Sequence, residues 1–353
     1  MTPNIKDLIS RGIIIIAALP EKNYTDIDDI QRLSGYTIPL IAHDYSAKTP
    51  LMWNMVYEKL GLNIRNIMMV ADPKDLKEIT YTFRNDPKYL GGGAGVGFKE
   101  KIIPYLDEIR PKDLASVNIV VKENGKLIGY NTDSKGLYMS LEDALLKENK
   151  KINNGKFLIF GAGGVAKEFV RQLAENKAER IVIANRTYGK AVALANELNV
   201  LYHKDISYGV PEDLIRGTML NTIKKLDGII NCTDKGSDGP LIDTSAFAPA
   251  GEYNNTLSIE NLRLLNDFNP NVVIVDIVLP KTGRSVTLRH ADSIANGVRR
   301  GFKNLVDGLP MVINQAAPAY KLVESAYPNF HSKTLSEKEL LEYMRVAVKK
   351  IEK

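Results

Sequence analysis

Short apolar runs alternate with longer stretches of helical periodicity along most of this chain. The first run, Gly12–Leu19 (GIIIIAAL), is β-branched and reads as a buried strand. Thr37–Ala42 and Ile64–Val70 read as further strands, with helices over Leu51–Leu60 and Lys74–Arg84. Ser116–Val121 and Lys126–Tyr130 flank Glu123-Asn124-Gly125, a hairpin signal, and a helix follows over Lys135–Lys147. Beyond Lys156 the apolar runs are Phe157–Phe160, Arg180–Ala184, Gly228–Asn231 and Val272–Ile277, separated by helix-length segments. That spacing predicts a parallel sheet covered on both faces. Residues 203–225 and 252–270 read as connections. Two helices follow at the far end, Leu305–Val323 and Ser336–Ile351. The second opens on a Ser336/Glu339 capping box and puts Leu340, Met344, Val348 and Ile351 on one face.

At 353 residues, two domains of ordinary size are expected. Hydrophobic residues at 44% and charged residues at 25% exclude a disordered or collagen-like chain. Lys and Arg exceed Asp and Glu by 47 to 42, but no dense basic block exists, which argues against nucleic acid as a partner. Cys232 is alone, so no internal disulfide can form, and four scattered histidines match no zinc spacing. No metal is expected. The Gly12–Leu19 run is too short to span a bilayer, and with Asp7 before it and Pro20-Glu21-Lys22 after it, it does not fit a signal peptide. A cytoplasmic protein with no membrane partner is the expectation.

The most specific local signal is Gly161-Ala162-Gly163-Gly164-Val165-Ala166, set between the strand Phe157–Phe160 and a good helix former. In strand–turn–helix context the first glycine permits the tight turn and the second lets backbone approach a pyrophosphate. Ala166 lets the helix pack close to the strand. The next strand ends in Asn185-Arg186-Thr187, with Lys190 three residues on. An NAD site would carry Asp or Glu near here for the ribose 2′-hydroxyl. A guanidinium with a nearby ammonium suits a 2′-phosphate instead, so NADP is the expected cofactor. Further upstream, Gly91–Gly97 holds five glycines in seven positions and is followed by Phe98 and Lys99. By composition alone that is equally a flexible loop with a surface lysine, and the Asp133 of Asn131-Thr132-Asp133 is equally a helix cap.

Together these pieces resemble the shikimate dehydrogenase family over roughly residues 37–323. Gly97-Phe98-Lys99 is similar to the family's loop ending in Pro-x-Lys, and Ser116-Val117-Asn118-Ile119 to its Ala-Val-Asn-Thr. Gly129–Gly136 matches its Gly-x-Asn-Thr-Asp-x-x-Gly in full. Gly161–Ala166, Asn185–Thr187 and Asn231-Cys232-Thr233 resemble its cofactor turn, its Asn-Arg-Thr and its Asn-Thr/Ala-Thr turn. Gly308, Met311, Gln315 and Ala316 fit its closing Gly-x-x-Met-x-x-x-Gln-Ala.

The resemblance implies an α/β protein of two domains. An N-terminal α/β substrate domain would take residues 1–133 and 307–353, the C-terminal helices returning to it, and a Rossmann-like NADP-binding domain would take 134–306. It implies an NADP-dependent oxidoreductase, a monomer or homodimer, that reversibly reduces 3-dehydroshikimate to shikimate. Lys99 would be the acid/base and Asp133 its partner. Asn118 and Gln315 would bond the ring hydroxyls, with Ser46 and Thr49 at the carboxylate end. Cofactor contacts would come from Gly161, Gly163, Gly164, Val165, Asn185, Arg186, Thr187, Lys190, Thr233, Ile277, Gly308 and Met311.

The carboxylate end departs from the family pattern. Ala47 stands where the first serine of Ser-x-Ser-Pro falls, although Thr49 precedes Pro50. Gly95 replaces the loop threonine, Gly93 the loop asparagine, and Leu279 the tyrosine after the strand-end Asp276. Two further readings therefore stand beside the first: a family dehydrogenase acting on another cyclic hydroxy acid such as quinate, and a non-catalytic NADP-binding regulatory protein.

Overall fold

The computed structural model describes residues 3–16, 35–43, 48–222, 225–298, 301–330 and 333–350. Ser46, Ile351 and residues 17–19 of the first apolar run lie outside the described residues. The chain divides into two compact units, Met1–Asp133 with Val312–Lys353, and Ser134–Met311.

In the first unit the strands are β1 (Ile14–Ile16), β2 (Tyr36–Ala42), β3 (Ile64–Ala71), β4 (Gly91–Ala94), β5 (Glu108–Ile109), β6 (Ile119–Glu123) and β7 (Lys126–Tyr130). They form one mixed sheet in the order β1-β3-β2-β4-β6-β7-β5. The expected hairpin is β6–β7, antiparallel, with Asn124 and Gly125 both at positive φ in its turn. The first apolar run is not the buried strand expected. β1 pairs only with β3, at the sheet edge, so Ile14 is buried while Ile15 is 63% exposed.

The glycine run is likewise not a loop throughout. Its first four residues are β4, near the centre of the sheet, parallel to β2 and antiparallel to β6. A Cβ on Gly92 would lie 2.2 Å from the Pro39 carbonyl oxygen, and one on Gly93 2.9 Å from the Leu40 side chain. The glycines exist because neighbouring strands leave no room for side chains.

Strands β8 (Lys156–Phe160), β9 (Arg180–Asn185), β10 (Ser207–Pro211), β11 (Gly228–Asn231), β12 (Val273–Asp276) and β13 (Leu305–Val306) build the second unit. All pair in parallel, in the order β10-β9-β8-β11-β12-β13. This is the doubly wound arrangement, in which the chain leaves β8 in opposite directions and opens a crevice at the strand ends. Alternate residues of β8 feed two cores. Phe157 and Ile159 pack with the helices Gly164–Glu175 and Tyr188–Leu201, while Leu158 and Phe160 pack with Asn254–Phe268 and Val286–Gly297.

Both expected connections contain regular structure. Residues 203–225 include β10, whose sequence SYGVP reads as a turn; Gly209 is required because its Cβ would meet the Val192 backbone nitrogen at 2.5 Å. Residues 252–270 hold the 15-residue helix Asn254–Phe268, whose buried face mixes Leu262 and Leu265 with Asn254, Ser258, Asn261 and Asn266. Such a face has no continuous apolar stripe to read. Asn254 and Asn261 instead bond buried carbonyls of Ser245, Ala248 and Phe247.

Leu305–Val323 also starts differently, with the short strand β13 before the helix Leu309–Ala326. The boundary expected at 306/307 falls at 311/312, inside that helix, because Met311 still packs in the core of the second unit. The final helix, Glu337–Lys349, begins with the expected capping box and buries Leu340, Met344 and Val348.

Candidate active site

Lys99 is placed by a chain of local restraints. Gly97 takes φ +85°, turning the backbone so that Phe98 is fully buried, and the Phe98 amide donates to the Gly95 carbonyl at 3.0 Å. The Lys99 carbonyl then accepts from the Val117 amide at 2.8 Å, one residue before Asn118. From that fixed backbone the Lys99 ammonium reaches Asp133 Oδ2 at 2.6 Å. Asp133 is 8% exposed at its side chain and Lys99 34%, so the carboxylate is held inside while the lysine opens toward solvent.

Asp133 begins the helix Asp133–Lys147, where the N-terminal end of the helix dipole favours negative charge. Its second oxygen accepts from Asn118 Nδ2 at 2.9 Å. That same amide lies 3.0 Å from Thr132 Oγ1 and 3.2 Å from Gln315 Oε1. With two amide hydrogens facing three acceptors, one of these bonds is bifurcated. Thr132 also donates to Gln315 Oε1 at 3.1 Å, bridging the two amides. Lys99, Asp133, Asn118 and Gln315 therefore meet in one hydrogen-bonded group within the first unit. Thr132 was not among the expected site residues, although it sits inside the Gly-x-Asn-Thr-Asp stretch that named its neighbour. Thr49 starts the helix Thr49–Leu60 and is not part of this hydrogen-bonded group.

At the position of the missing loop hydroxyl, a Cβ on Gly95 would be 2.9 Å from the Ala42 Cβ and 3.1 Å from the Ile41 carbonyl oxygen. At Gly93 an added Cβ would be 2.9 Å from the Leu40 side chain, so a side chain at either position requires its neighbours to shift.

The second group lies at the strand ends of the other unit. Gly161 has φ +107°, and a Cβ there would come within 2.9 Å of the Cys232 carbonyl oxygen and 3.2 Å of the Thr233 side chain. Gly161 and Thr233 are thus immediate neighbours, with Thr233 held by Asn231 Oδ1 at 2.6 Å. Gly163 precedes the 12-residue helix Gly164–Glu175, which has no side-chain cap at its N-terminus. A Cβ on Gly163 would meet nothing within 4 Å. Open space above amides that no side chain caps is the shape and polarity a pyrophosphate needs. Ala166 is fully buried and Val165 packs on the same core.

Asn185 at the end of β9 folds back to the Thr187 carbonyl at 2.9 Å, and Arg186, Thr187 and Lys190 are exposed. No carboxylate pairs with Arg186 or Lys190 among the described residues. The exposed cations fit a 2′-phosphate. Gly308 lies against the Ile277 carbonyl oxygen, 2.2 Å from its would-be Cβ, while Met311 packs into the core. Asp276, fully buried, accepts from Ser285 Oγ at 2.6 Å and Asn231 Nδ2 at 2.8 Å. Burial nevertheless pushes its carboxyl up to about 6. No group of residues among those described is arranged to hold a metal ion, and no described helix is long and apolar enough to cross a membrane.

Residues 144–282 match the family model described as shikimate / quinate 5-dehydrogenase. A shikimate dehydrogenase (NADP(+)) of Halothermothrix orenii is 32% identical over 312 residues, covering 86% of this chain and 94% of that protein. Among solved structures, a shikimate dehydrogenase in complex with NADP+ is similar at a TM-score of 0.65 and 26% identity, covering 88% of this chain and 95% of the other. Shikimate 5-dehydrogenase from Listeria monocytogenes, in complex with shikimate and NAD, is similar at 0.63 and 25%, covering 87% and 96%.

Proposed function

The chain belongs to the shikimate dehydrogenase family, and on that footing we propose that it reduces 3-dehydroshikimate reversibly to shikimate with NADP. The observation that carries the reading is the 2.6 Å contact between Lys99 and Asp133 within the amide group of Asn118 and Gln315. When bound, the reduced nicotinamide supplies a hydride to the ketone carbon. The ketone oxygen then needs a proton, and the Lys99 ammonium donates it, leaving a neutral amine. Asp133 accepts from the ammonium and fixes the lysine's position; in the oxidative direction the amine takes the proton back. Asn118 and Gln315 exchange their mutual hydrogen bonds for bonds to ring hydroxyls. Residues 1–133 with the C-terminal helices act as the substrate domain in this reading.

On the cofactor side, Gly161, Gly163, Gly164 and Val165 receive the pyrophosphate, and Arg186 with Lys190 receives the 2′-phosphate. Asn185, Thr187, Thr233, Ile277, Gly308 and Met311 complete the cofactor's surroundings. We place the protein in the cytoplasm, as its lone cysteine suggests.

A second reading, the same chemistry on another cyclic hydroxy acid such as quinate, is favoured by one observation: positions 93 and 95 are glycines, where an added Cβ would crowd the Leu40 side chain or lie 2.9 Å from the Ala42 Cβ. Absorbance at 340 nm, with shikimate, quinate and related acids against both cofactors, separates the two. Turnover of shikimate with NADP supports the first reading. Turnover of quinate alone supports the second, and cofactor binding without turnover of any would leave only a regulatory protein.

A further inference from the structure

Beside the basic turn lies a buried ion pair to which none of the roles above has been given. After β11 the chain turns through Lys235 to Gly236, whose φ is +89°. Lys235 is only 5% exposed; its ammonium pairs with Glu212 and also donates to the Ala248 carbonyl at 2.6 Å. Glu212 directly follows β10, whose last residue, Pro211, is in register with Asn185 of β9. Glu212 and Arg186 therefore leave adjacent parallel strands at the same end, where neighbouring backbones run about 5 Å apart. Burial, and next the charge of Arg186, push the Lys235 ammonium down to about 8.

Burying two opposite charges is a poor way to stabilise a fold, since an apolar pair of similar volume often does as well or better. The placement has a clearer consequence for the cofactor. An unpaired carboxylate at this strand end would accept a hydrogen bond from Arg186 and repel a dianionic phosphate. Lys235 prevents both.

We propose that Lys235 is a positioning residue for cofactor choice: by engaging Glu212 it keeps that carboxylate off Arg186 and leaves the guanidinium to the 2′-phosphate of NADP. The inference rests on the NADP reading above and extends it to two residues outside the basic turn.

Calorimetric titration of the full chain with adenosine 2′,5′-bisphosphate and with adenosine 5′-monophosphate tests it without turnover. Wild type should prefer the bisphosphate; equal binding there overturns the NADP reading and this proposal with it. Lys235→Met should lower bisphosphate affinity roughly ten- to a hundredfold, the scale of one charge-assisted hydrogen bond, and leave the monophosphate unchanged. Adding Glu212→Gln to Lys235→Met should restore the bisphosphate, because no carboxylate remains to compete. An unchanged preference in Lys235→Met overturns the proposal. So does a double variant as weak as the single one, since Lys235 would then meet the phosphate itself. Monophosphate binding reports a folded site in every variant, and Lys235→Gln carries the same expectation should Lys235→Met not fold.

Discussion

Replacing Lys99 by alanine removes a proton donor and a counter-ion together, and the two losses differ in size. A positioned general acid contributes about 10²–10⁴ in rate, which is roughly 3–5 kcal/mol of barrier. The folding loss is smaller. Lys99 is 34% exposed at its side chain, so its ion pair is partly screened and contributes no more than ~1 kcal/mol. The carboxylate left behind keeps its bond from Asn118 at 2.9 Å and its place at a helix N-terminus. A fall in Tm of no more than about 2–4 °C is expected. Activity should therefore drop a hundredfold or more in protein that remains folded, which steady-state rates at 340 nm and a thermal melt measure on the same sample. NADP binding should be unchanged, because the residues assigned to it belong to the segment Ser134–Met311. Asp133→Asn should also lower the rate, and the double variant should be little worse than Lys99→Ala alone, since the pair acts as one unit. A Lys99→Ala protein keeping kcat within tenfold of the parent would refute the acid/base role. A loss confined to KM would do the same.

Three further outcomes test other parts of the site. Arg186→Asp should raise the Michaelis constant for NADP far more than that for NAD, since it replaces a phosphate donor by a repelling charge; equal effects would mean that the basic turn is only solvated. Gly161→Ala should lower stability by roughly 1–3 kcal/mol, because φ is +107° and the Cys232 carbonyl lies 2.9 Å away, whereas Gly163→Ala should fold normally and bind cofactor less well. Melting curves and cofactor titrations of the two variants distinguish these fates. Asp276 is held near 6, above its unfolded value, so its contribution to stability is fully present below about pH 4 and is lost as pH rises through about 6. Asp276→Asn should remove that loss, gaining roughly 1–2 kcal/mol on the parent between pH 5 and pH 8 in urea titrations; a constant difference would contradict the buried, high-pKa carboxyl.

Much of this protein was legible in one dimension because the signals are local. β8 into Gly161–Ala166 can be read directly: an apolar run that opens on a glycine turn and a helix reads as a buried strand, and Gly161 serves a turn at positive φ. The capping box at Ser336 is of the same kind, satisfied by residues three apart. Lys99, Asp133, Asn118 and Gln315 each sit in a short stretch that resembles a family motif.

What the sequence could not say is what lies opposite each residue. The glycines of β4 look like loop glycines until Pro39, Leu40 and Val120 are seen to crowd them from the adjoining strands. Gly209 and Pro211 look like a turn until the helix Tyr188–Leu201 is found against the strand. The helix Asn254–Phe268 has no clean apolar stripe because its buried amides bond carbonyls that only the fold brings near. Thr132 gains its place between Asn118 and Gln315 by the same route, and so does Lys235, whose partner lies 23 residues upstream. Periodicity and turn chemistry are written in neighbouring residues, whereas exclusion of side chains and pairing of buried charges depend on atoms far away in the chain. The first kind of information marks most of the elements and the candidate chemistry; the second decides which strands are central, which connections are regular and which charges are held apart.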